Sequence, residues 1–234
     1  MLFENKDGWI LKDGFNARIK ATAWAKLSEL CAFSVTPGIR YSSEDTDVNI
    51  EDAHLRINPT GWNTEYAIGR SSMWWGPGFH GSILMTDNAF PMDTFRINNI
   101  WPFRLPWIFK NMGRWSGTWF ISRLEKKFNP SYAMFSGWKL DYIPAEFLKF
   151  GVGHIMMFGG KGVNGYGFHD FIGNSSLFFS SGGGADDPEN HIMSWDAQLF
   201  LRRIDRFLPI ATGAKFYTEL GAEDESKSIP VDLA

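Results

Sequence analysis

Odd positions from 15 to 25 read Phe15, Ala17, Ile19, Ala21, Ala23 and Ala25, and the even positions interleaved with them read Asn16, Arg18, Lys20, Thr22, Trp24 and Lys26. A helix brings apolar side chains round every three or four residues, whereas a strand sends successive side chains to opposite faces. The spacing therefore predicts a strand with one apolar and one basic face. Comparable runs follow at 32–41, 48–58, 115–124, 147–158, 193–203 and 211–221, with weaker ones at 64–71, 94–100 and 132–142. Several reach roughly ten residues, longer than the usual soluble strand of about five or six and close to what a tilted strand needs to cross a bilayer. The expected fold class is all-β, an antiparallel up-and-down transmembrane β-barrel with about ten strands here, part of a larger barrel, with long loops and little helix.

Turn chemistry separates the runs. Short connections are expected at "NPTGWN", "KKFNPSY" and "DYIPAEF", where Pro or Gly with Asn or Asp reverses the chain. Long ones are expected at 72–93, 99–113 and 159–192, and short turns on one rim with long loops on the other is the habit of outer-membrane barrels. The last of these is Gly- and Ser-rich but carries Tyr166, Phe168, Phe171, Leu177, Phe178 and Phe179, more apolar bulk than a tether needs. It reads as a loop with a short helical turn that folds onto something.

Composition sharpens this picture. Of 234 residues 16% are aromatic, yet mean hydropathy is −0.21, as expected of strands wet on one face. A net charge of −3 gives no basic footprint for nucleic acid. The single cysteine, Cys31, excludes an intramolecular disulfide and a cysteine-cluster zinc site. No run of about eighteen apolar residues is present, so a helical span is not expected. The opening "MLFENKDGWILKDG" lacks the pattern of a secretory leader.

Aromatic placement favours a lipid-facing wall over a soluble sandwich. Trp9, Trp62, Tyr66, Trp101, Trp107, Trp115, Tyr132 and Tyr142 fall at or near expected strand ends, where amphipathic rings sit at headgroup level. Trp24, Trp119, Trp138 and Trp195 are mid-strand. The even-position cations Arg18, Lys20 and Lys26, with Arg40 and Arg56, are expected to form an inward basic ladder, either open to an anionic polymer or paired with Glu51, Asp52 and Glu65.

One stretch stands apart. Residues 68–92, "IGRSSMWWGPGFHGSILMTDNAFPM", set two tryptophans against Gly-Pro-Gly and resemble the signature of the Wzi family of capsule assembly proteins. Residues 114–126, "RWSGTWFISRLEK", resemble the family's following strand, and 195–230 resemble a later hairpin that ends in a Gly-Glu-Asp-Glu loop. Phe90 departs from the family's usual Arg, and Phe79-His80 replaces an aromatic-Asp pair. The resemblance implies a non-catalytic outer-membrane lectin of Gram-negative bacteria that attaches capsular or other exopolysaccharide to the cell surface, with outer-membrane lipid as its second partner. It further implies that residues 1–234 are one barrel domain drawn from the middle of a longer chain, truncated at both ends, with any signal peptide upstream or removed.

Sugar rings present an apolar C–H face and a rim of hydroxyls, so a site for them needs an aromatic platform beside planar donors and acceptors. The candidate ligand-binding residues are Trp74, Trp75, Arg70, His80, Asn88, Asp93 and Arg96, with both arginines suited to uronic carboxylates. Gly76, Pro77 and Gly78 are the candidate structural loop, its glycines admitting positive φ and close backbone approach. The tryptophans then either contact sugar or plug the interior. Neither "GAEDES" nor "GGADDPEN" has calcium-loop spacing, the histidines lack metal spacing, and no nucleotide or serine-hydrolase motif occurs, so no metal, cofactor or catalytic residue is expected. Two further readings stay open: a porin-like barrel without ligand, and a soluble β-rich enzyme or lectin whose Ala17, Ile19, Ala21 and Ala23 pack beneath a second sheet.

Overall fold

The computed structural model describes residues 8–9, 11–79, 81–126, 130–162, 190–206, 210–226 and 229–233. All of its regular structure is antiparallel strand apart from two short 3-10 turns, Trp107–Asn111 and Ile204–Arg206. The strands are β1 (Ala17–Lys20), β2 (Ala23–Lys26), β3 (Cys31–Tyr41), β4 (Thr46–Ile57), β5 (Glu65–Ser71), β6 (Met92–Asn98), β7 (Arg114–Arg123), β8 (Met134–Ala145), β9 (Leu148–Phe158), β10 (Asn190–Arg202), β11 (Gly213–Ser226) and β12 (Ile229–Leu233). Each long period-two run in the sequence became a strand. The run at 15–26 differs: it forms two short strands, β1 and β2, both paired to β3 in one continuous register. β12 had no counterpart among the expected strands.

The chain divides into two compact units, Met1–Trp74 with Met85–Ile100, and Trp75–Leu84 with Trp101–Ala234. In the first, β1 and β2 pair with β3, and β3, β4, β5 and β6 follow in order. In the second, β7 to β12 pair in sequence order.

Within the first unit the apolar face is the bare one. Ile19 is 72% exposed and Val48 70%, and Ala21, Ala23, Ile39 and Ile50 are exposed as well. The opposite face buries Thr36, Arg40, Glu51 and His54. The second unit repeats this. Leu201, Phe216 and Leu220 are exposed, while Lys139, Ser194, Asp196 and Gln198 are buried. A soluble sandwich would bury the first set and wet the second, so no second sheet covers Ile19, Ala21 or Ala23.

β4 shows how the polar face is kept. Its apolar residues fall on even numbers at Val48 and Ile50 and on odd numbers at Ala53, Leu55 and Ile57. The register with β3 slips between Thr36 and Pro37, where Thr36 faces Asp52 and Pro37 faces Ile50, leaving Glu51 as an extra residue. Such a bulge inserts one residue and reverses the parity downstream. Proline has no N–H to give the ladder, so the irregularity falls where a bond was already missing.

Rim lengths depart from expectation. In the first unit the short connection between β3 and β4 shares an end with the long one between β5 and β6; in the second, "KKFNPSY" shares an end with the long β9–β10 connection. Strand alternation alone dictates this, since hairpins of either length must alternate ends. The expected helical turn and folding-back of the β9–β10 loop lie outside the described residues.

Candidate functional site

On the polar face of the first unit, the Glu51 carboxylate accepts from Arg18 Nε at 2.9 Å and Arg40 Nε at 3.1 Å, with a further close contact from Arg18 Nη2. Glu51 is 3% exposed and Arg40 6%. Gly38 makes the room: a Cβ there would lie 2.6 Å from Glu51 Oε1. The inward basic ladder therefore resolves into a paired part and an open part. Arg18 and Arg40 are spent on Glu51, Arg56 donates from Nε to His54 Nε2 at 2.8 Å and lies 3.9 Å from Glu65, and Lys26 is exposed but paired with Glu29 at 2.7 Å. Lys20 is exposed.

An aromatic ring links that cluster to a further guanidinium. Phe90 has Arg40 Cζ 5.7 Å and Arg70 Cζ 5.2 Å from its centroid, both within cation–π range. Arg70 forks onto Asp93, Nε to Oδ1 and Nη2 to Oδ2 at 2.9 Å each. Gly69 sets this up. Its φ is +128°, and a Cβ would fall 2.2 Å from the Ala53 carbonyl oxygen, so only glycine fits the residue before Arg70. Asp93 is 65% exposed, so the pair presents donors and an acceptor at the surface. Arg70 and Asp93 stand in the row of Ala53 near the ends of β5 and β6, whereas Arg96, three residues along β6 and so on the opposite face, shares a row with Ala67 and Arg56, and its Nε is buried without a hydrogen-bond partner among the described residues.

On the polar face of the second unit, the segment Trp75–Leu84 lies against the strands. Trp75 is 5% exposed and meets Phe120 edge-on at 5.2 Å. The Glu219 carboxylate accepts from Ser82 Oγ at 3.0 Å and from the Ile83 N–H at 3.1 Å, and Lys215 Nζ donates to the Pro77 carbonyl at 2.7 Å. Ile83 and Leu84 sit where Cβ atoms of Gly221 and Gly153 would be. Gly76 and Gly78 are required by proximity and not by backbone sign, since neither has positive φ. A Cβ on Gly76 would lie 2.2 Å from Ser82 Oγ and one on Gly78 2.1 Å from the Gly81 carbonyl oxygen. Nearby on the same face, Asp196 accepts from Lys139 Nζ and Gln198 Nε2, and Asp141 from Lys149.

The expected site residues therefore part company. Arg70 and Asp93 are brought together, Arg96 is on the same strand as Asp93, and Asn88 is an exposed turn residue whose carbonyl accepts from Gly8. Trp74 belongs to the first unit at 37% exposure, while Trp75 is a packed residue of the second, so adjacent tryptophans do not share a role. His80 lies outside the described residues. Arg40 was expected in the inward basic ladder, open or paired with Glu51, and is paired; Lys215 was passed over. Phe90 was visible only as a departure from a family pattern, and Glu219 only as one carboxylate among several. Asp196 is committed to Lys139 and Gln198, and Glu219 to the loop. Among the described residues no three His, Cys, Asp or Glu side chains are grouped to hold a metal.

The sequence profile of the family described as "Capsule assembly protein Wzi" matches residues 1–234. A Klebsiella pneumoniae protein described as an uncharacterized 55.8 kDa protein in the cps region is 25% identical over 180 residues, covering 72% of this chain and 32% of the relative. The solved structure of Escherichia coli Wzi, titled an outer-membrane protein involved in group 1 capsule assembly and a carbohydrate-binding β-barrel, superposes with a TM-score of 0.70 at 21% identity over 91% of this chain and 44% of that one. The chain thus spans about a third to under half the length of these relatives.

Proposed function

The chain belongs to the Wzi family of capsule assembly proteins, and on that premise we propose that it is a stretch of the wall of a larger outer-membrane barrel that holds capsular polysaccharide without catalysis. The observation that carries the reading is the inversion of the strands: apolar faces bare, ionic faces buried. Such an arrangement is stable where the solvent outside is hydrocarbon and every ladder hydrogen bond is made.

The polysaccharide contact is assigned to Phe90 with Arg70 and Asp93 near the ends of β5 and β6, and separately to Arg96 on the polar face of β6. Arg70 has its fork occupied by Asp93, which makes the pair a poor clamp for a uronic carboxylate but a good match for vicinal hydroxyls, one donating and one accepting. Phe90 supplies an aromatic ring beside the Arg40 and Arg70 guanidiniums. Arg96, whose guanidinium is not forked onto a carboxylate among the described residues, is the better partner for an acidic sugar. Trp75 and the Gly-Pro-Gly loop are assigned a packing role, closing the interior against solvent and small ions.

The test is capsule retention in cells carrying the full-length protein with Asp93→Ala and Arg96→Gln. Expected is a shift of capsular polysaccharide from the cell-associated to the shed fraction, with the variant still inserted and heat-modifiable on gels. Undiminished retention by the inserted double variant would remove these residues from the polysaccharide contact.

A further inference from the structure

We propose that residues 101–115 form an anchor for the headgroups of anionic phospholipid, seated at the rim of the second unit. The inference rests on the outer-membrane reading above and adds to it a lipid-recognition site with a stated ligand chemistry.

Four observations converge on this segment. Between Asp93 and Glu125 the chain has no carboxylate side chain, while Arg104, Lys110 and Arg114 fall within the segment or beside it. Its apolar residues are bare: Trp107 is 86% exposed, and Trp101, Phe103, Ile108, Phe109 and Met112 are exposed too. Trp107 takes φ +61°, a left-handed conformation that costs a bulky residue on the order of 1–3 kcal/mol and needs compensation elsewhere. The segment is also tied to the wall. Phe103 exchanges backbone hydrogen bonds with Trp115 at 2.9 and 2.7 Å. Trp115 then stacks on Tyr142 at 4.6 Å, and Tyr142 on Phe150 at 6.4 Å.

That last row lies on the apolar face. Ser116, Asp141, Gly151 and Asp196 occupy one register on the polar face, so Trp115, Tyr142 and Phe150, one position along each strand, face the other way. Phe103, Trp115, Tyr142 and Phe150 therefore form an aromatic band at one end of the strands, the placement of a membrane girdle. The 101–112 segment continues the band past the strand ends. In the second unit this is the end opposite the β9–β10 connection, which with 31 residues is about twice the length of the 15-residue 99–113 connection, and the longest connections in such barrels face outward. The segment thus meets the periplasmic leaflet, where phospholipid phosphates are the anions at headgroup depth.

Exposed indoles and aliphatic side chains beside lysine and arginine, with no acid among them, are complementary to a phosphate layer over acyl chains and to little else in water. A soluble surface with these residues would carry a large apolar patch with no partner.

The experiment uses the full-length protein in a cysteine-free background, labelled with an environment-sensitive dye at Ile108→Cys or, as control, at Ile19→Cys on the bare strand face. It is reconstituted into phosphatidylcholine vesicles containing brominated phosphatidylcholine or brominated phosphatidylglycerol. Expected is quenching at both positions, stronger from phosphatidylglycerol at 108 only, with that preference falling roughly fivefold for each charge removed in Arg104→Gln and Lys110→Gln. Quenching at 19 with none at 108 overturns the anchor and leaves the membrane reading intact. Equal quenching by both lipids at 108 overturns the recognition of anionic headgroups. No quenching at either position overturns the membrane reading and the anchor with it.

Discussion

Glu51 is the residue on which most of the first unit's polar face converges. It holds two guanidiniums, and Arg40 in turn lies against Phe90. Removing one member of a buried ion pair leaves a desolvated charge without compensation, at a cost of about 3–5 kcal/mol. Glu51→Ala is therefore expected to lower the urea midpoint of the folded full-length protein sharply, while Glu51→Gln, which keeps an acceptor, costs less. Asp93 contrasts with it. Its partner Arg70 is shared with Phe90, and the carboxylate is largely in water, so Asp93→Ala is expected to cost less than about 1 kcal/mol. A midpoint within error of the wild type, measured alongside loss of capsule retention, distinguishes a binding residue from a structural one. The pairing of Arg18 and Arg40 with Glu51 was one of the two outcomes the sequence left open, whereas the group around Phe90 was not legible there. Arg70 and Asp93 were marked as polar groups near tryptophans, but their pairing depends on strand register. The two tryptophans were read as a unit because they are adjacent. Peptide geometry sends adjacent side chains apart, and here one is packed on Phe120 while its neighbour belongs to the other unit.

At the level of elements, the strands were the readable part. Period-two alternation survives in sequence because each face meets one solvent along its whole length. Even the β4 bulge was written there, as apolar positions that change from even at Val48 and Ile50 to odd at Leu55 and Ile57. The Gly-Pro-Gly loop was less readable, since what fixes it is distant in sequence. Glu219 and Lys215 fasten it from β11, and the glycines answer a shortage of space beside Ser82 and Gly81. Removing both fastenings with Lys215→Met and Glu219→Gln is expected to loosen residues 75–84 without dissolving the strands. Raised conductance of the full-length variant in planar bilayers, with unchanged heat-modifiable mobility, is the expected signature. Wild-type conductance would show that the loop does not close the interior. Gly76→Val, which sets branched bulk against Ser82, is expected to act in the same direction.

For the whole molecule, the account depends on which medium the apolar faces meet. The family match and the likeness of fold to a solved outer-membrane barrel agree with strands whose ionic residues are buried and whose aliphatic residues are bare. Spin labels placed one at a time from 46 to 57 along β4 of the full-length protein in lipid bilayers test this most directly, by comparing access to oxygen with access to a water-soluble nickel chelate. The account predicts oxygen-rich positions at 48, 50, 53, 55 and 57, an alternation that skips one residue at the bulge where Glu51 and Asp52 both face away from lipid. Nickel access at 48 and 50 with oxygen access at 49 and 51, or an alternation that runs through 51–52 without a skip, would contradict it.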